Sequence, residues 1–484
     1  MPTLAILSLL LPPVFAACVA IVVRPYQRLV AEVSVGCAAL SFAASLVLGM
    51  SVVSQRAPAE PIANLWRVDA LSALLAFCIA FVVLLASALG PGLRPDEQDD
   101  PATTRRYRIF TNAFAFAMLA AVVVQNVALM WVAIEATTIM SAIIIPLHRT
   151  KASVEASWKY LLICSVGIAL AFTGTVLAYF DFVATAGDVQ GALNWTVLRD
   201  AARSVHPELL QLAFAFILVG YGTKAGLAPM HTWLPDAHSE APSPISAMMS
   251  GVLLAVAMYA IARWKAVVDA AVDPRFTNNL LLVFGLLSVG IGTLSVVVQR
   301  HYKRMLAYSS VEHMGLVGIG LALGPLGAFA AWLHVLNHAV AKSTTFLLAG
   351  RVMRRYQTTE IGQVTGLLRA MPWTGVLFAA GILALIGVPP FGLFVSEFLL
   401  VRAAAVSGRV WVAAVVLVFL LAAFVSLLRH LNQMLYGEAP PRVQIGEPRG
   451  WRLVALTVPI LLLIALGVAV PGSIIQQCVD SLIR

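Results

Sequence analysis

Fourteen apolar runs, most of them close to 20 residues long, follow one another along the chain with few charges inside them. A helix that crosses a bilayer needs about 20 predominantly apolar residues. The runs lie near 3–23, 30–53, 69–90, 109–124, 126–146, 158–179, 208–225, 244–262, 277–298, 304–323, 326–350, 371–407, 410–432 and 451–472. Only Gln125-Asn126 separates the fourth from the fifth, and 371–407 is interrupted internally. Hydrophobic residues make up 60% of the 484 and charged residues 11%. That balance predicts an all-α polytopic membrane protein with about fourteen transmembrane helices.

Composition excludes several functions. A net charge of +9 is compatible with nucleic-acid binding, but the cations sit in short segments between apolar runs, where they act as topology determinants. Lys and Arg after odd-numbered runs total 20, including Arg24, Arg94, Arg300 and Arg449; the opposite side, including Arg263, Lys265 and Arg484, totals 10. The remaining two of the 32, Lys224 and Lys342, fall inside runs. This bias places both termini on the outer, periplasmic side of a cytoplasmic membrane. Cys18, Cys37, Cys78, Cys164 and Cys478 all lie in apolar stretches without a Cys-x-x-Cys pair. They read as small core residues rather than iron–sulfur, haem or disulfide partners. No glycine-rich phosphate loop follows a strand, so no cofactor is expected. Because Arg24 and Arg28 follow the first run, Thr3–Val23 reads as a retained helix and not a signal peptide.

Lys224 stands inside the seventh run, and Tyr221-Gly222-Thr223-Lys224-Ala225-Gly226-Leu227-Ala228-Pro229 breaks the helix around it. A charge at bilayer depth costs roughly 2.5–3.5 kcal/mol on insertion scales, and is kept mainly where it serves ions. A second break, Gly387-Val388-Pro389-Pro390-Phe391-Gly392, is followed by Glu397. Irregular backbone at this depth needs a cavity or a buried site. Glu135 precedes Lys224 by 89 positions, and Glu312 precedes Glu397 by 85. We expect two five-helix units, 109–262 and 263–432, each with a broken fourth helix, flanked by a three-helix segment 1–108 and a last helix in 433–484. An odd number of spans per unit makes the two inverted repeats.

His334, His338 and Lys342 recur every four residues and so share one helix face. One or two waters bridge each gap in a proton relay, since histidine titrates near neutrality; the plain alternative is a pair of core histidines bonded to carbonyls. Glu312 and His313 are weaker candidates, with helix capping as the alternative for the acid. Lys159 and Ser250 are weaker still. His231, Asp236, His238 and Glu240 lie in what reads as a Pro-rich loop, spaced unlike any common zinc site, so no metal is expected; loop packing or proton funnelling suits them better. Arg105-Arg106-Tyr107-Arg108 after Asp96–Asp100 reads as a solvated loop.

Residues 221–251, together with Trp131–Ala136, Trp158-Lys159-Tyr160, Tyr308–Gly315 and Pro389–Phe398, closely resemble the signature of the proton-translocating antiporter-like subunits. This superfamily comprises respiratory complex I, Mrp cation/proton antiporters and membrane-bound hydrogenases; the details are most similar to hydrogenase-4 component F and formate hydrogenlyase-type membrane subunits. The resemblance implies fourteen helices and a hydrated polar axis at the membrane midplane. It makes Glu135 and Lys224 the glutamate–lysine pair, and Glu397 the exit-side group, where some members carry lysine. A carboxylate lowers the cost of keeping a buried lysine charged, so proton uptake and release follow the separation of the pair.

Two departures stand out. Relatives often carry lysine or histidine in the eighth helix, whereas here Ser246, Ser250 and Tyr259 are its hydroxyl-bearing candidates before Arg263. No long helical stretch follows the last run, so the lateral helix of the most distal complex I subunit is not expected. The function implied is a proton-translocating subunit of a redox-driven complex, with partner membrane subunits and a peripheral redox module of hydrogenase or quinone-reductase type carrying the iron–sulfur or nickel centres. The alternatives are an Mrp-type antiporter subunit, an energy-coupling subunit of a non-redox complex such as inorganic carbon uptake, and an anchor with a vestigial axis.

Overall fold

The computed structural model describes residues 2–60, 65–93, 100–187, 190–447 and 450–483. Arg94, Asp96, Asp99, Arg449 and Arg484, invoked above, lie outside them. Helices α1 (Pro2–Val22), α2 (Arg28–Gln55) and α3 (Ala70–Leu89) open the chain. α4 (Pro101–Val123), α5 (Val127–Ile144), α6 (Lys151–Ala186), α7 (Trp195–Asp200) and α8 (Pro207–Ala225) follow. Then come α9 (Trp233–Glu240), α10 (Ser243–Met248), α11 (Leu254–Val268), α12 (Pro274–Val297), α13 (Tyr302–Leu321) and α14 (Gly324–Tyr356). The last are α15 (Leu367–Ala370), α16 (Pro372–Leu385), α17 (Gly392–Val406), α18 (Val410–Leu435), α19 (Trp451–Val468) and α20 (Gly472–Ile483). Ten segments among the described residues are long and apolar enough to cross a membrane. The only β pairings described are isolated bridges between loops.

Local chemistry explains the boundaries. Asn126 splits α4 from α5 because its side chain accepts from the N–H groups of Ala128 (2.9 Å) and Leu129 (3.1 Å), the orphan donors of a new helix. Thr150 and Ser153 form a reciprocal capping box that starts α6. Both predicted breaks are closed by one pattern. Gly226 (φ 74°) and Gly387 (φ 64°) take the left-handed conformation. The next residue's N–H then returns to the carbonyl five back: Leu227 to Gly222 at 2.8 Å, Val388 to Leu383 at 3.1 Å. Gly222 itself is helical, and only its carbonyl takes part in the break.

Helix packing is graded from centre to rim. The α10–α11 segment is wholly buried, with α3 and the middle of α14 beside it, whereas α2, α18 and α19 expose Leu and Val to the lipid side. In hydrocarbon, apolar contact alone does not drive helices together, so close approach and polar contacts matter more. A Cβ on Gly220 would meet the Ala171 backbone N at 2.5 Å, which shows how tightly α8 lies on α6.

Several sequence expectations are corrected here. Arg105, Arg106 and Arg108 belong to α4 and not to a solvated loop; Arg108 is buried and donates to Ser87 O at 2.9 Å. Arg263, Lys303 and Arg351, which count among the cations between apolar runs, each lie inside a helix that extends past its run. Buried Lys303 donates to Ser239 O (2.6 Å) and Ala241 O (2.7 Å), capping the end of α9. Arg263 reaches Asp69 at 2.6 Å. The supposed loop 230–240 is a helical turn plus α9, since Pro235 falls in the first turn, where its missing N–H is tolerated. Cys18 is exposed and not a core residue. α20, too polar to register as an apolar run, packs against α3 and α14.

Outside the spans, Glu447 binds Arg351 (2.7 Å) and accepts from the Thr374 N–H (3.0 Å) and its hydroxyl. Burial alone would push this carboxyl up; the Thr374 and Arg351 bonds outweigh it and hold the group below its usual range. A depressed carboxyl contributes stability that is present above its unfolded pKa and lost as pH falls through the folded one. Wild type should therefore lose thermal stability on acidification below the ordinary glutamate range. Glu447→Gln should be less stable at neutral pH and lose less on acidification, a difference read by thermal unfolding in detergent.

Candidate functional site

The titratable side chains of the expected axis come from five helices. Glu135 on α5 is half-buried and accepts from Ser165 Oγ at 2.9 Å and from Thr138 Oγ1 at 3.1 Å. Lys224, fully buried in the last turn of α8, donates to Thr138 Oγ1 (2.8 Å) and Tyr160 OH (2.7 Å). Its ammonium also lies 4.8 Å from the Tyr160 ring centroid. Glu135 and Lys224 are thus joined through the Thr138 hydroxyl. A link through one rotatable hydroxyl is easily opened, as a pair that alternates between near and separated requires.

The second group is built on α13, α14 and α17. His334, His338 and Lys342 are fully buried. His313 lies in the middle of α13, not at a capping position, and enters between the two α14 histidines. Its Nδ1 is 2.9 Å from His334 Nε2, and its ring centroid is 5.1 Å from that of His338. Glu312 is buried mid-helix beside it. His334 Nδ1 contacts Ser396 Oγ at 2.9 Å, one residue before Glu397. Glu397 is nearly buried, with Oε1 lacking a hydrogen-bond partner, and both nitrogens of His338 and Asn337 Oδ1 are in the same condition. Buried polar atoms are normally bonded to protein or water, so these atoms are positions at which water would be accommodated. The second break serves it directly, because a Cβ on Gly387 would collide with the Glu397 carboxylate.

Between these groups, Lys342 Nζ donates to Leu306 O (2.8 Å) and to Ser309 Oγ. Beside it Ser250 Oγ meets Ser310 Oγ at 2.7 Å, within a π-helical turn, Met249–Leu253. Such turns recur at functional sites. The other hydroxyls of this segment are committed: Ser246 donates to His238 O (2.7 Å), and Tyr259 to Val122 O (3.2 Å). Lys159 lies away from the axis, exposed and paired with Glu155 (2.7 Å) and Asp236 (3.4 Å). Asp236 also binds Arg304 at 2.6 Å, and of the loop quartet His231 and His238 are buried. Thr138, Tyr160, Ser309 and Ser396 escaped the sequence reading, since hydroxyls in apolar helices carry no signal until their partners are placed. His313, Glu397 and His334 offer donor atoms within 4.8 Å of one another, close enough to hold a metal ion. His313 and His334 are already hydrogen-bonded to each other at 2.9 Å.

Titratable groups strung through a membrane interior between two broken helices define a scaffold of the ion-translocating class. The family model described as "NADH:quinone oxidoreductase/Mrp antiporter, TM" matches residues 124–424, and the chain belongs to that family. It is 39% identical over 377 residues, 78% of each chain, to the hydrogenase-4 component F homolog of Methylacidiphilum infernorum. Its fold is similar to a chain of the membrane-bound sulfane sulfur reductase, an archaeal respiratory membrane complex (TM-score 0.89, 25% identity, covering 100% of this chain and 98% of that one). A chain of the Mrp complex from Dietzia sp. DQ12-45-1b shares the fold (TM-score 0.88, 21% identity, 100% and 98% covered).

Proposed function

We propose that this chain is the proton-translocating membrane subunit of a redox-driven complex of the hydrogenase-4 or formate hydrogenlyase kind. Protons move along Glu135, Lys224, Lys342, His338, His313, His334 and Glu397. The observation that carries this reading is two clusters of titratable groups inside the helical bundle: Glu135 joined to Lys224 through Thr138, and His338, His313 and His334 in ring-to-ring or hydrogen-bonded contact up to Ser396, next to Glu397. We assign the redox centres to a peripheral module and the remaining membrane contacts to sister subunits, because this chain supplies only the path. The shared closure at Gly226 and Gly387 supports two inverted units, 109–262 and 263–432, within a fourteen-helix chain. The excess of cations after odd-numbered runs supports both termini on the outer face of the cytoplasmic membrane.

The experiment is Glu397→Gln. The complex should assemble, while ΔpH formation in inverted vesicles falls sharply; normal pumping with the glutamine removes Glu397 from the path. The family's antiporter branch makes Na⁺ the competing ion. The axis is rich in imidazole and amine nitrogen, whereas a hard cation such as Na⁺ prefers several converging oxygens, so transport should proceed in sodium-free proteoliposomes. A sodium requirement with uptake resistant to protonophore would establish the antiporter reading instead.

A further inference from the structure

At one end of the bundle α3 and α14 finish, and α10 and α19 begin. α3, α10 and α19 all pack on α14, and a cavity of about 30 Å³ remains where they meet. Its walls carry Arg351, Arg354, Arg452 and Ser243. Arg351 is held by Glu447 at 2.7 Å and by Thr374 Oγ1 at 3.1 Å. Glu447 is committed to those same two residues, so it does not answer Arg452.

Two donors at this cavity are unmet. Arg452 Nη1 and Ser243 Oγ are buried and lack a hydrogen-bond partner among the described residues. Ser243 is only 6% exposed. A Cβ on Gly350 would lie 2.6 Å from its hydroxyl, so the glycine is what leaves that hydroxyl its place in the wall. A buried donor without an acceptor costs on the order of 1–3 kcal/mol, and more when charged. Water would satisfy both groups, but three guanidiniums around so small a space favour a guest with negative charge, and arginine matches phosphate oxygens in geometry. One water needs roughly 10–15 Å³ of such space. The cavity is therefore on the scale of a single oxyanion and far too small for a nucleotide.

The surroundings select a lipid as the source of that anion. Leu89, Leu347 and Leu456 complete the wall. On α19, Val454 and Val458 follow Arg452 within two turns and are exposed on the lipid side. A guest with its charge among the arginines has an apolar helix face for its tail. Basic pockets between membrane helices are suited to anionic headgroups. We propose that Arg452 and Ser243, with Arg351 and Arg354 beside them, bind the phosphate of an anionic phospholipid. The bound lipid joins α19 to α3, α10 and α14, away from the titratable axis and independently of what that axis transports.

The test is thermal unfolding of the purified full chain in detergent, titrated with phosphatidylglycerol, phosphatidylcholine or inorganic phosphate. A ligand that binds only the folded state raises the unfolding temperature. Phosphatidylglycerol should raise it clearly and the other two far less, because choline brings a cation to the arginines and free phosphate has no tail for α19. Arg452→Gln and Ser243→Ala should each raise the half-saturating phosphatidylglycerol concentration by roughly tenfold, the scale of one lost hydrogen bond to a charged group. Arg402→Gln, at an exposed arginine of α17, should leave it unchanged. Ser243→Ala deletes a single hydroxyl, so it decides the matter even where Arg452→Gln does not fold. A wild-type response from Ser243→Ala, or an equal loss in Arg402→Gln, would overturn the site. An equal shift from inorganic phosphate or from phosphatidylcholine would overturn its assignment to an anionic lipid.

Discussion

Lys224→Arg and Lys224→Ala should both assemble into the complex and both lose proton translocation, by roughly 10²-fold or more, the scale of losing a positioned proton-transfer group. Two roles are open to this ammonium: a fixed charge that orders water and acids, or a group that gains and loses a proton each cycle. Arginine separates them, since it keeps the charge and is effectively never deprotonated in a protein. Lysine, unlike arginine, can both gain and lose a proton, so the pair of variants tells the two roles apart. The geometry makes the exchange feasible, because Thr138 alone joins the two. Glu135→Gln should therefore be impaired as well. Pumping by Lys224→Arg at the wild-type rate would make Lys224 a static charge and defeat the pairing mechanism. Blue-native electrophoresis of each variant supplies the assembly control.

Asp69→Ala should destabilise the protein by about 3–5 kcal/mol, the cost of leaving one member of a buried ion pair uncompensated. Arg263 donates to both Asp69 oxygens at 2.6 Å and lies over the rings of Trp195 (4.4 Å) and Tyr259 (4.7 Å). It also reaches Ser481 O at 3.3 Å, so one guanidinium joins α3, α7, α11 and α20. Asp69 is further committed as the N-cap of α3, accepting from Ser72 N–H at 3.0 Å. The paired replacement Asp69→Leu with Arg263→Met should recover much of the loss, because it leaves no buried charge behind. Thermal unfolding of the purified protein reads both. A double variant no more stable than Asp69→Ala would show that the cap and the cation–π contacts, not the charge pair, hold this corner.

The sequence by itself determined the membrane class, the long apolar helices, both breaks and the titratable residues that fall inside them. Those features are local: hydropathy over about 20 residues, a Gly or Pro beside a charge, a four-residue stripe. A lysine or histidine inside an apolar run stands out because burying it is costly wherever the run ends up. The same locality misled the reading of Arg108, Arg263 and Lys303, whose partners are carbonyls or a carboxylate brought close only by packing; Asp69 lies 194 positions from Arg263. The tertiary structure alone decided that Thr138 mediates between Glu135 and Lys224 and that His313 inserts between His334 and His338. Each depends on which faces of separate helices meet. In a chain this apolar many pairings bury similar surface, so close backbone approach and the satisfaction of buried polar atoms select among them.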